Sequence, residues 1–233
     1  MKGIMEITFI DYSGEHREPP TLAKNNLPSW YQEMPSYMNN IKSTKIVNGS
    51  RVTTATIKKC MPVFDTLTSG YLLNTWSDII IENINNVISY RVTEPILTDH
   101  NIQQAPNHPA VNIQDDIIAK FLNNWGIKTP EGYSCLFIAP PHRENPISIL
   151  TGIVDTDTYH HPVHLPFTLN NRNFTGVIPK GTPVAQIIPF NRIEWEARYE
   201  SVNEEDNKKM LDKLYEHNFN AYKTNFWSSK RYS

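Results

Sequence analysis

The stretch 130-PEGYSCLFIAPPHRENPISILTGIVDTDTY-159 decides how this chain is read. It carries the runs YSCLFIAPP and ISILTGIVD, rich in β-branched and aromatic residues and broken by Pro, Asn, Gly or Asp. Short runs bounded by turn formers read as strands. Working outward, HLPFTLNN, FTGVIP and PVAQIIPF follow in the same style, and VTTATIKK, GYLLNTWSDIIIEN and NVISYRVTE precede it. Such spacing points to a sandwich or barrel rather than βαβ units. Seventeen prolines against nine glycines shorten every regular element and argue against a helical bundle.

The flanks differ from this centre. Residues 5–10, MEITFI, read as a first strand, and a Pro-, Asn- and Ser-rich segment follows. Within it Pro28 can open one helical turn that Pro35 ends. The segment 115-DDIIAKFLNNWG-126 places Ile117, Ile118, Phe121, Leu122 and Trp125 at helical spacing with Gly126 where a C-terminal cap would sit, so a short helix is expected; two half-buried strand pieces would show a similar composition. Ser201 stands three residues before Glu204, a capping-box spacing, and Met210, Leu211, Leu214 and Tyr215 line one face of a C-terminal helix. The tail, with Trp227, Lys230, Arg231 and Tyr232, can stack on a base, bind a partner or pack on a neighbouring subunit. The expected organisation is an N-terminal arm (1–45), a β domain (46–193) and a C-terminal helix with an aromatic and basic tail (194–233).

Bulk composition narrows the function. The chain has 233 residues and a formal charge of −2, with a pI near 6.4. That leaves no excess basic charge for tracking a nucleic-acid backbone, so duplex binding is not expected. No run approaches the ~18 apolar residues of a spanning helix, and a soluble protein without membrane association is expected. Cys60 and Cys135 lack the spacing of a zinc knuckle or redox motif, and buried free thiols in a reducing compartment are expected.

The densest chemistry lies in 152-GIVDTDTYHHPVH-164. A carboxylate such as Asp155 at the end of a rigid strand can accept a hydrogen bond from a sugar hydroxyl, or orient an attacking water when it lies about 3 Å from the proton it takes. The bland alternative is a hairpin turn in which Asp155, Asp157 and the threonines bond the local backbone. A histidine metal site is disfavoured, because in a strand His160 and His164 would face one side and His161 the other, and Pro162 interrupts.

Three blocks in order resemble the trimeric dUTPase and dCTP deaminase superfamily. They are 130-PEGYSCLFIAPPHRE-144 with Pro130, Gly132 and Tyr133; 152-GIVDTDTY-159 with Gly152, Asp155, Asp157 and Tyr159; and 176-GVIPKGTPVAQIIPF-190 with Lys180, Gly181, Ala185 and Gln186. The segment 69-SGYLLNTWSDIII-81 extends the likeness to the family's A-G-Y-D-L strand. LPSWYQEMPS and the other blocks together also resemble a family of tailed-phage proteins that brings no established activity.

The resemblance implies an all-β fold: a distorted jelly-roll β-barrel of the dUTPase type with an N-terminal arm and a C-terminal helix, assembled as a homotrimer with ligand clefts between subunits. It implies a nucleotide-like small molecule as ligand, with Asp155 at the sugar or water, Tyr159 under the deoxyribose, and Asp157, His142, Arg143 and Gln186 as further candidate contacts. The departures fall on the phosphate machinery. Leu72 stands where the family has an acid, Pro141 and His142 stand where it has Arg-Ser, Thr158 lengthens the hairpin by one residue, and the glycine-rich C-terminal arm is missing. Fixed donors and counter-charges dominate triphosphate chemistry, so the expectation is a phage-encoded, non-catalytic binder of a nucleotide or nucleotide-derived signal. The alternatives are a nucleotide pyrophosphohydrolase with rebuilt motifs, and a trimeric virion structural or interaction protein. No cofactor is required for binding, whereas Mg2+ would accompany hydrolysis. The expected location is the host cytoplasm during infection, with the virion as the alternative.

Overall fold

The structure, a computed structural model, describes residues 5–15, 17–48, 50–85, 87–109, 117–216 and 219–230. In chain order the elements are β1 (Thr8–Asp11), β2 (Thr21–Leu22), α1 (Ser29–Glu33), β3 (Thr44–Val47), β4 (Ser50–Thr53), α2 (Met61–Thr68), β5 (Tyr71–Asn74), β6 (Ile79–Ile84), β7 (Val87–Val92) and β8 (Leu97–Asn101). Then come β9 (Ile117–Phe121), β10 (Trp125–Lys128), β11 (Tyr133–Ile138), β12 (Ile147–Ile149), β13 (Gly152–Val154), β14 (Leu165–Leu169), β15 (Gly176–Ile178), β16 (Pro183–Asn191), α3 (Glu204–Glu216) and α4 (Ala221–Asn225). The chain is mostly β with a helical C-terminal region. It divides into two compact units, Met1–Ala23 with Gly70–Ile193, and Lys24–Ser69 with Glu194–Ser233.

The first unit is built from antiparallel sheets. Their orders are β1-β10, β13-β11-β16-β5-β2, β12-β14-β9-β8 and β15-β6-β7. The described strands close no continuous barrel. β16 owes its central place to a run, Val184 to Ile187, that is buried on both faces, and it pairs with β11 on one side and β5 on the other. Phe121, Phe137, Phe167, Ile79, Ile127 and Ile187 sit in one core at 0–1% exposure. Burying side chains of this size contributes roughly 1.5–3 kcal/mol each. The entry to β5 needs a glycine, because Gly70 has φ +65° and a Cβ there would meet the Ile187 carbonyl oxygen at 2.0 Å.

The helix expected at 115–126 is absent over its described part. Ile117–Phe121 is strand β9, paired to β8 and β14, and Trp125–Lys128 is β10, paired to β1; residues 115 and 116 lie outside the described residues. The apolar spacing suited either period, and pairing on both sides of β9 settled it. Asn123 supplies the turn, its side chain accepting from Trp125 N–H at 2.9 Å and donating to Trp125 C=O at 2.8 Å. His164 precedes the strand read in HLPFTLNN rather than opening it, since β14 starts at Leu165.

In the second unit β3 and β4 form a hairpin, and α1 spans the single turn after Pro28. α3 begins at Glu204, but its cap is Asn203 rather than Ser201: the Asn203 side chain accepts from Glu205 N–H at 2.9 Å and Asp206 N–H at 3.3 Å. The tail is tied down within the unit. Trp227 Nε1 donates to both Asp65 carboxylate oxygens at 3.1 and 3.0 Å, and Lys230 Nζ to Asp65 Oδ2 at 2.7 Å. Arg231 and Tyr232 lie outside the described residues. Cys135 is buried and Cys60 half-buried, both as free thiols. No helix among the described residues is long and apolar enough to cross a membrane.

Candidate functional site

Register brings the site together. β11 pairs with β13 so that Cys135 faces Val154, and with β16 so that Tyr133 faces Asn191. One residue beyond each strand, Asp155 lands beside Ser134 and Arg192 beside Gly132. Arg192 N–H donates to Gly132 C=O at 2.8 Å, continuing the ladder past β16.

The Arg192 guanidinium organises both acids. Its Nη1 donates to Asp157 Oδ1 at 2.9 Å, to Ser134 Oγ at 2.8 Å and to Asp155 Oδ1 at 3.2 Å, and its Nη2 donates to Asp157 Oδ2. Gly132 N–H also reaches Asp157 Oδ2 at 2.9 Å. The Asp157 side chain is only 4% exposed whereas that of Asp155 is 62% exposed. The two aspartates therefore do different work. Asp157 is a fork-paired structural acid, while Asp155 keeps one oxygen, Oδ1, fixed by Ser134 Oγ at 2.7 Å and presents Oδ2 to solvent with no donor among the described residues.

The turn that carries them is held from below. Thr156 is fully buried, with its hydroxyl 2.8 Å from that of Thr129, and it donates to Cys135 Sγ at 3.4 Å. Tyr159 N–H donates to Asp155 C=O at 2.8 Å, so the extra residue Thr158 is absorbed as a helical-type turn and the Tyr159 ring stays 50% exposed.

The bidentate bond from Arg192, with help from Gly132 N–H and against the opposing effect of burial, holds the Asp157 carboxyl down from 3.8 to about 2. The same pairing raises Arg192. A depressed acid contributes stability that is complete above its unfolded pKa of 3.8 and is lost as pH falls through about 2. The urea midpoint should therefore fall between about pH 4 and pH 2, and Asp157→Asn should remove that component of the acid dependence while leaving the rest.

The other expected residues are placed elsewhere. Gln186 is 1% exposed on β16, opposite Ile138 and Leu72, so it faces the interior of the unit. His142, at φ +56°, and Arg143 follow the far end of β11. Four strand steps of roughly 3.3 Å put Ile138, the β11 residue at that end, about 13 Å along the strand from Ser134. Burial lowers Arg143. Leu72 is 1% exposed, inside the core. Arg192 was missed by sequence reasoning. Its signal, a lone arginine just past a long apolar strand, acquires meaning only through the three-strand register.

A divalent cation does not fit this donor set. Both Asp157 oxygens and one Asp155 oxygen are already engaged by a guanidinium, which leaves a single carboxylate oxygen beside a fixed positive charge. Among the described residues no group of three or more His, Cys, Asp or Glu could hold a metal.

No protein-family model matches the chain, and no curated protein does. Among solved structures the chain is similar to a mutant dUTPase from phage phi11 of S. aureus, at 13% identity and TM-score 0.33, covering 71% of this chain and 98% of that one; that structure is described with a structural Mg(II) ion. It is also similar to the Staphylococcus bacteriophage 80alpha dUTPase as a mutant with dUpNHpp, at 15% identity and TM-score 0.32, covering 71% and 93%. A second structure of the 80alpha dUTPase gives 16% identity and TM-score 0.30, covering 71% and 97%. Superpositions at that level assign no role to any residue.

Proposed function

We propose that this chain is a dUTPase-fold protein, a distorted jelly roll assembling as a homotrimer, that binds a nucleotide or nucleotide-derived ligand without hydrolysing it. The observation that carries the reading is the division of labour between the two aspartates. With Oδ1 fixed by Ser134 and Arg192 and Oδ2 open, Asp155 is a pre-oriented acceptor suited to a sugar hydroxyl. Two features argue against triphosphate chemistry. A buried leucine occupies the position of the family's first acid, and Arg192, the cation paired with Asp155 among the described residues, is consumed by Asp157. Phosphates would have to be met by groups from another subunit, and Arg143 and His142 are the candidates.

The test is a thermal-shift screen against nucleoside mono- and triphosphates, followed by calorimetry. A ligand at ~100 times its Kd should stabilise the protein by about 2.7 kcal/mol. Asp155→Asn should weaken binding about tenfold or more, since a hydrogen bond to a charged acceptor is worth roughly 1.5–3 kcal/mol, while leaving stability within ~0.5 kcal/mol of the parent because the carboxylate is exposed. Release of pyrophosphate from any triphosphate would overturn the non-catalytic part of the reading. Absence of any shift would move the assignment to a structural protein.

A further inference from the structure

Asp155 does not stand alone at its end of the sheet. The ring of Tyr159, four residues on, lies 6.4 Å from the ring of His161 at an interplanar angle of 45°, and His161 lies 4.7 Å from Tyr12 at 38°. The rings are surface groups, with Tyr159 50% and Tyr12 48% exposed. Single exposed rings are ordinary, but three adjoining tilted rings form a contiguous aromatic platform.

The row is built into the fold. Tyr12 is positioned by the β1–β10 pairing, its N–H donating to Asn124 C=O at 3.0 Å. The 159–161 segment is pinned from the other side, by Tyr159 N–H on Asp155 C=O and by the contact of His160 Nε2 with Asp157 C=O at 3.1 Å. Gly126 lets the two parts meet. A Cβ there would lie 2.1 Å from the His160 carbonyl oxygen and 2.7 Å from the Tyr12 ring.

Burial, the Lys120 ammonium and His161 hold His164 below its ordinary value. Lys120 Nζ also lies 3.0 Å from His100 Nε2. Exposed aromatic rings in a row are platforms on which successive bases stack.

We infer that the Tyr159–His161–Tyr12 row is a second ligand subsite that continues from Asp155 and seats a second planar base, so that the ligand is a dinucleotide-class molecule rather than a mononucleotide. This rests on Asp155 as the sugar-binding acceptor. The first nucleoside is held at Asp155, Tyr159 stands between the two subsites, and the second base lies against His161 and Tyr12.

Calorimetry on the full chain, with a panel of nucleoside 5′-monophosphates and a matching panel of linear dinucleotides, tests the inference. The best dinucleotide should bind about tenfold more tightly than its component mononucleotide. In Tyr12→Ala that ratio should fall toward one, with His161→Ala as the second variant should Tyr12→Ala unfold. A ratio near one in the parent chain, or a ratio unchanged in both variants, overturns the second subsite. If mononucleotides still bind and Asp155→Asn still weakens them, only the second subsite has failed. If neither panel binds, both readings fall together.

Discussion

Gly126→Ala should destabilise the first unit by about 3 kcal/mol, the upper part of the range for forcing atoms into a packed site, and should displace the segment that carries Tyr159 and His161. The expectation follows from what the new methyl would meet. The Tyr12 ring at 2.7 Å can swing away, but the His160 carbonyl oxygen at 2.1 Å is backbone, held by the Tyr159 N–H bond to Asp155 C=O and by the His160 ring contact with Asp157 C=O. Relief therefore requires either β10 to leave β1 or the 159–161 segment to lift off. Urea denaturation would read the first outcome, and changed ring-proton shifts of Tyr12 and His161 the second. Gly152→Ala is the control. A Cβ there meets nothing within 4 Å, so that variant should stay within about 1 kcal/mol of the parent, on the stabilising side if the backbone accepts alanine without strain. Equal stability of the Gly126→Ala and parent chains would mean that His160 and Tyr12 do not approach β10 as described.

Phe121→Ala should cost about 3–5 kcal/mol, the range for removing a large aromatic from a core. Phe121 is fully buried, and its backbone sits opposite Leu97 on β8 and Leu165 on β14. Neighbours on both sides of the strand restrict collapse into the void, which puts the loss toward the upper half of that range. The denaturation midpoint should fall with little change in slope, because the surface exposed on unfolding is nearly the same. Phe190, on the same β16 strand as the core residues but only half-buried, should lose much less on truncation. A small effect at Phe121 would argue against pairing of β9 on both sides.

How much was legible in the sequence depends on the range of the interaction that decides each feature. Strands β11, β13, β14, β15 and β16 were readable because β-branched runs end in Pro, Gly or Asn within a few residues, and that signal is local. Over 115–126 the sequence favours a helix but leaves two short strands open, because Ile117, Ile118, Phe121, Leu122 and Trp125 satisfy both periods. The choice was made by β8, β14 and β1, which lie far away in sequence. The α3 cap moved from Ser201 to Asn203 for a local reason, since Asn203 directly precedes the helix and its side-chain oxygen reaches the first free N–H groups.

The candidate site shows the same division. Sequence by itself determined that an acid-rich turn ends a short strand. Only the tertiary structure separated Asp155 from Asp157. Two aspartates two residues apart look equivalent in a string, yet Arg192, 35 residues beyond Asp157, pairs with one carboxylate fully and with the other through a single oxygen. That difference comes from strand register, which fixes which residue of β16 ends beside which residue of β11, and register is set by the packing of a whole core rather than by any segment of the chain.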